Sequence, residues 1–84
     1  MIKIKDNVDL KELEEYGYIK HNNKKALVNY YKFGNNYVIN IYKDKTVHIS
    51  FPRPYNEMIK ENDEIIYSKI KDLIGANLVE KSDK

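Results

Sequence analysis

The chain has no cysteine and no tryptophan, and only one arginine, two prolines and three glycines in 84 residues. Without cysteine there is no disulfide, no thiolate nucleophile and no Cys-based zinc site. His21 and His48 are the only histidines, too few to form a structural zinc site by themselves. Three glycines leave no Gly-rich phosphate cradle, and each falls where a cap or turn is expected. Long apolar runs are missing as well, with no stretch beyond three or four residues, whereas a membrane-spanning helix needs about 20. The N-terminus alternates apolar and charged residues and lacks the continuous apolar segment of a signal peptide. A soluble, cytoplasmic protein without cofactor, metal or membrane contact is the expectation.

What is present fits one domain spanning residues 1–84. A chain of this size buries only about 60–65% of its unfolded surface, so cohesion rests on a thin hydrophobic core. Lys, Asn, Ile and Tyr dominate the composition, and all four have A/T-rich codons. Coding bias alone would raise their counts, so their distribution carries more information than their number. Residues 18–55 hold seven basic side chains against the single acid Asp44, a net of +6, and six of the eight tyrosines. Residues 1–17 and 56–84 are each −2. The small formal net charge of +2 is a cancellation, and such asymmetry speaks of partners rather than of fold.

Ile2 and Ile4 alternate with Lys3 and Lys5, as in a short strand with one buried face. Asp9 is placed to cap a helix, Glu12 completes a capping box, and Val8 can staple onto Leu13. Gly17 follows Tyr16 as a left-handed C-cap and brings Tyr18 onto Leu13. A short strand at Tyr18–Lys20 and a polar turn at His21–Lys24 come next. Strands are expected over Lys25–Phe33, Tyr37–Tyr42 and Thr46–Phe51, the last ended by Pro52 and Pro54. Helical spacing of Ile66, Ile70, Leu73 and Ile74 predicts a helix from Asn62 or Asp63 to Ile74, with Met58 and Ile59 in reach of an earlier start. Gly75 is expected to end it, and Leu78 and Val79 suggest a last strand. The fold class is therefore α+β: a small antiparallel sheet (a three-strand meander plus the N-terminal strand), a short N-terminal helix and a longer C-terminal one, in the order β-α-β-β-β-α(-β).

Register follows from the faces. A three-residue loop at 43–45 pairs Ile41 with Val47 and Ile39 with Ile49, whereas a two-residue loop would set Ile41 opposite His48. For the first hairpin, a three-residue loop at 34–36 pairs Phe33 with Tyr37 and Tyr31 with Ile39. Val28, Tyr30 and Lys32 then lie on the outer face beside Val38, Asn40, Tyr42, Thr46, His48 and Ser50. A Gly34-Asn35 turn would invert that choice.

On the first register, Tyr30, Lys32, Asn40, Tyr42 and His48 form a candidate protein-docking surface, because tyrosine combines rigid contact area with a polar tip. The competing reading is nucleic-acid binding by Lys20, Lys24, Lys25, Lys32 and Arg53, with tyrosines stacking on unpaired bases. A self-associating subunit is a third. Catalysis is not expected. Ser50 lies two residues from His48, which makes them neighbours but no triad, and Asp44 is in a loop.

The opening Ile2-Lys3-Ile4-Lys5-Asp6-Asn7-Val8-Asp9-Leu10-Lys11-Glu12-Leu13-Glu14 with Tyr16-Gly17-Tyr18, and the ending Ile70-Lys71-Asp72-Leu73-Ile74 through Leu78-Val79-Glu80-Lys81, resemble small prophage proteins of low-GC Gram-positive bacteria. The basic, Tyr-rich middle lies outside the resemblance, and the group supplies no site residues to transfer. The resemblance implies a phage accessory protein in the cytoplasm of a bacterial host cell. Such a protein would be a non-enzymatic inhibitor binding a host defence protein, for example as an anti-CRISPR protein on a CRISPR nuclease.

Overall fold

The structure, a computed structural model, describes residues 1–52 and 60–82. The elements are β1 (Ile2–Ile4), a 3-10 helix (Leu10–Tyr16), β2 (Ile19–Lys20), β3 (Val28–Gly34), β4 (Tyr37–Tyr42), β5 (Val47–Ser50), α1 (Asp63–Lys69), α2 (Lys71–Gly75) and β6 (Val79–Lys81). Strands β2-β3-β4-β5 form an antiparallel meander, and β1 pairs with β6 in a second, two-stranded sheet. The α+β class stands, but the N-terminal strand pairs with the C-terminal one and meets the meander through an isolated Lys3–Thr46 bridge. The Ile4 N–H reinforces that seam by donating to the Lys45 carbonyl at 2.8 Å.

The first helix begins and ends as its sequence dictates. The Asp9 carboxylate accepts the Lys11 N–H at 3.0 Å, and Glu12 returns to accept the Asp9 N–H at 3.1 Å. Gly17 adopts φ 87, which lets the Tyr18 and Gly17 N–H groups close on the Leu13 and Glu14 carbonyls. The helix is 3-10 rather than α. Leu10, Leu13 and Tyr16 recur every third residue, and a three-residue turn stacks all three on one line against the core.

One cluster forms the core, drawn from both sheets and from the helices, with Ile2, Ile4, Leu13, Ile41, Ile70 and Leu73 fully buried. The expected C-terminal helix is broken at Ile70, whose φ of −121 and ψ of 36 leave the α region. Ile66, Ile70 and Leu73, which share one face, all reach the core across the break. Past Gly75 it is Asn77, at φ 62, that takes the left-handed position and directs the chain into β6. The residues named for an earlier helix start, Met58 and Ile59, lie outside the described residues, as do Arg53 and Tyr55.

The second hairpin has the expected register, with Ile41 opposite Val47 and Ile39 opposite Ile49. Lys45 takes φ 73 to close its three-residue loop. The first hairpin differs from the expectation. Its loop is Asn35-Asn36, and Phe33, Lys32, Tyr31 and Tyr30 pair with Val38, Ile39, Asn40 and Ile41. Gly34 belongs to the strand because the ring of Tyr37, directly opposite, occupies the space a β-carbon would need. An irregularity between Val28 and Tyr30 leaves Asn29 as a bulge and restores Val28 to the position opposite Tyr42.

Candidate functional site

The one-residue shift in β3 exchanges its two faces. Tyr30 points into the core with 4% exposure, and its hydroxyl donates to Glu14 Oε2 at 2.9 Å. Burial first, and then the Glu14 carboxylate, raise its phenol above the ordinary range. Lys32 also turns inward. Its ammonium donates to the Tyr16 carbonyl at 2.8 Å and to Asp72 at 3.2 Å, and lies 5.3 Å from the centre of the Tyr18 ring. Tyr30 and Lys32 are therefore not members of the outer docking face, and the Lys32 ammonium is engaged by Asp72 and the Tyr16 carbonyl on the opposite side. Tyr31, expected on the core side, is on the outer face instead.

That outer face is built from β2 to β5. Ile19 lies opposite Tyr31, Tyr31 opposite Asn40, and Asn40 opposite His48. Phe33 and Ser50 flank Val38 in the next row. Asn40, Tyr42 and His48 are on this face as the sequence predicts, all half-buried. The helices pack on the opposite side, where Ile66 and Leu73 meet the core. An aromatic row crosses the outer face: His21 meets Tyr31 at 6.0 Å and Tyr31 meets Phe33 at 5.4 Å, both edge to face. On the far side Tyr42 lies on His48 at 4.1 Å between ring centres.

Phe33 is 68% exposed and stands as a ridge between two depressions. One, of about 360 Å³, is lined by His21, Asn22, Val28, Tyr31, Phe33 and Asn40. The other, of about 370 Å³, lies beside Gly34, Tyr37, Val38, Phe51 and Pro52 and is mostly apolar. Sequence reasoning missed both, because each depends on the side of the sheet to which Tyr31 and Phe33 point.

His48 sits in a chain of polar contacts. Its Nε2 is 2.9 Å from Thr46 Oγ1 and its Nδ1 is 3.2 Å from Glu61 Oε1. The layout has the order of a nucleophile, base and carboxylate, but the hydrogens run the wrong way. The Thr46 hydroxyl donates its one hydrogen to Asp44 at 2.6 Å, so that hydrogen is not directed at His48. The hydrogen bonds from the Thr46 hydroxyl and N–H hold the Asp44 carboxyl below its ordinary value. Glu61 also accepts the Ile49 N–H at 2.8 Å. It thereby covers the free edge of β5, a role that suits an edge strand needing protection. Ser50 binds Asn40 at 2.9 Å instead of His48. Among the described residues, no group of three His, Asp or Glu side chains is arranged to hold a metal ion, and no helix is long and apolar enough to cross a membrane.

Of the basic residues proposed for nucleic acid, Lys20, Lys24 and Lys25 are exposed. Lys24 and Lys25 occupy the 21–27 turn, and Lys43 from the neighbouring loop donates to the Lys24 carbonyl. Lys45 turns inward, with its ammonium on the carbonyls of Asp6 at 2.9 Å and Val8 at 2.6 Å. Comparison with protein-family models, with curated proteins and with solved structures finds no match for this chain.

Proposed function

We propose that this chain is a non-enzymatic, phage-type accessory protein that docks onto a host defence protein through the outer face of its meander and inhibits it, a CRISPR nuclease being the type of target. The observation that carries the reading is a sheet face left open by the described helices, with an exposed Phe33 ridge and a Tyr42–His48 pair. Apolar and aromatic groups concentrated on one exposed face mark interaction sites in small soluble domains. The resemblance of both chain ends to prophage proteins supplies the host context. The docking centre lies on the β4–β5 half: Val38, Asn40, Tyr42 and His48, with Phe33 at its border.

The test is co-purification with individually expressed defence nucleases of a low-GC Gram-positive host, followed by a cleavage assay. Tyr42→Ala is expected to weaken the complex by tenfold or more, as truncation of an aromatic anchor does. Val38→Asp should abolish it by placing a charge at the centre. The reading fails if none of these nucleases is bound or inhibited, if both variants bind like the parent protein, or if a mass measurement shows the face occupied by a second copy of the chain.

A further inference from the structure

We infer that the depression between His21, Asn22, Tyr31, Phe33 and Asn40 is a site for an unpaired base of single-stranded nucleic acid, with phosphates held by the adjoining lysine turn. Its walls are aromatic. Tyr31 and Phe33 meet edge to face at 5.4 Å, and Phe33 is 68% exposed, so an open ring is presented to a flat ligand. Successive bases of single strands stack on such side chains irrespective of sequence.

Apart from Val28, the remaining lining is polar in a way that suits a base edge. The Asn40 amide nitrogen donates to Ser50 at 2.9 Å, which leaves its Oδ1 without a partner among the described residues. The Asn23 N–H donates to His21 Nδ1 at 3.1 Å, so Nε2 carries the ring hydrogen as a donor. Asn22 adds a side-chain amide at the rim. Donors and acceptors thus stand around an aromatic slot of about 360 Å³, the arrangement by which unstacked bases are read on their edges.

Charge complementarity selects this ligand over an apolar segment of a protein. Lys24 and Lys25 are exposed on the turn that carries Asn22, and Lys43 is fastened to that turn through the Lys24 carbonyl. The second depression, past Phe33, has no charged side chain in its lining. Lys32 and Lys45 point inward, so the lysines still exposed in this stretch are those at the polar end, with Lys20 following β2.

The test is fluorescence anisotropy with labelled RNA and DNA homopolymers of about 10 nucleotides, a length within the site sizes of such surfaces. Single strands should bind at about 50 mM salt and lose most affinity by about 200 mM. Tyr31→Ala should weaken binding roughly 5- to 150-fold at unchanged salt slope, the range for loss of one stacked base. The double variant Lys24→Ala/Lys25→Ala, both in an exposed turn and so neutral to folding, should lower the slope by about 1.4. The RNA and DNA arms assign the sugar. The assignment is overturned if neither strand binds at about 50 mM salt. It is equally overturned if duplex binds as well as single strand and ignores Tyr31→Ala. None of these outcomes depends on the defence-protein reading, whose variants lie on the other half of the face.

Discussion

Replacing each of the adjacent tyrosines in β3 tests the register on which both functional readings stand. Tyr30 is 4% exposed, touches the single core cluster and donates to Glu14 at 2.9 Å. Tyr31 is half-buried on the outer face, with His21 and Phe33 as its ring neighbours. Truncating a buried aromatic costs about 3–5 kcal/mol, and a domain of this length has only about 4–13 kcal/mol in all. Tyr30→Ala is therefore expected to remove roughly a quarter of the stability or more. Tyr31→Ala, at a half-buried ring outside the core, should cost about 1 kcal/mol, the centre of the range for single substitutions. Tyr30→Phe keeps the ring and removes the hydroxyl from Glu14, for a loss of about 0.5–1.5 kcal/mol. Urea denaturation followed by circular dichroism reads all three, and the shared slope shows whether the compared states stay the same. If Tyr31→Ala proved more damaging than Tyr30→Ala, the faces of β3 would be assigned wrongly. The nucleobase site and the retirement of Tyr30 as a surface residue would fall together.

Gly34→Ala places a methyl where the Tyr37 ring lies, so it should cost about 1–3 kcal/mol in urea midpoints. Paired with Tyr37→Ala the two costs should be less than additive, and strict additivity would contradict the proposed packing of ring on glycine. At acid pH the Asp44–Thr46 contact gives a signed effect: because Asp44 titrates below its ordinary 3.8 in the folded protein, its contribution is present above that value and lost as pH falls through the lower folded one. Thr46→Val should thus destabilise the protein by up to about 1 kcal/mol near neutrality and by progressively less below pH 3.8, and a gap that widens in acid would refute the assignment.

Where a pattern could be satisfied in only one way, it was readable in the chain. Ile39, Ile41, Val47 and Ile49 alternate with polar residues, so a slip of one would have buried His48 and exposed an isoleucine face. The Asp9–Glu12 box and Gly17 are likewise local, each settled within a few residues. In β3 the alternation is silent, since Tyr30, Tyr31, Lys32 and Phe33 offer an aromatic residue to either face. Its register was settled by a contact between Gly34 and Tyr37 and by a bulge at Asn29, neither of which has a periodic signature. Glu61 was unreadable as the partner of His48 for a related reason, because sequence distance hides which helix approach closes on which strand edge.

The basic middle of the chain shows how composition and site can part company. Lys45 sits at φ 73 and aims its ammonium at the carbonyls of Val8, Asp6 and Lys5, at 2.6, 2.9 and 3.4 Å. An ammonium has three donors on one atom, which matches three carbonyls converging on a point; a planar guanidinium spreads its donors and could not replace it there. Lys32 likewise joins a helix-terminal carbonyl, a carboxylate and the face of Tyr18. Both lysines thus serve the fold through their ammonium groups, whatever the codon usage. Their removal from the surface strips charge from the inner side and leaves it at the turn holding Lys24 and Lys25. A basic excess that looked spread over 38 residues is concentrated next to an open aromatic slot, and this concentration, rather than the lysine count, makes a phosphate-bearing ligand the one to test first at that corner.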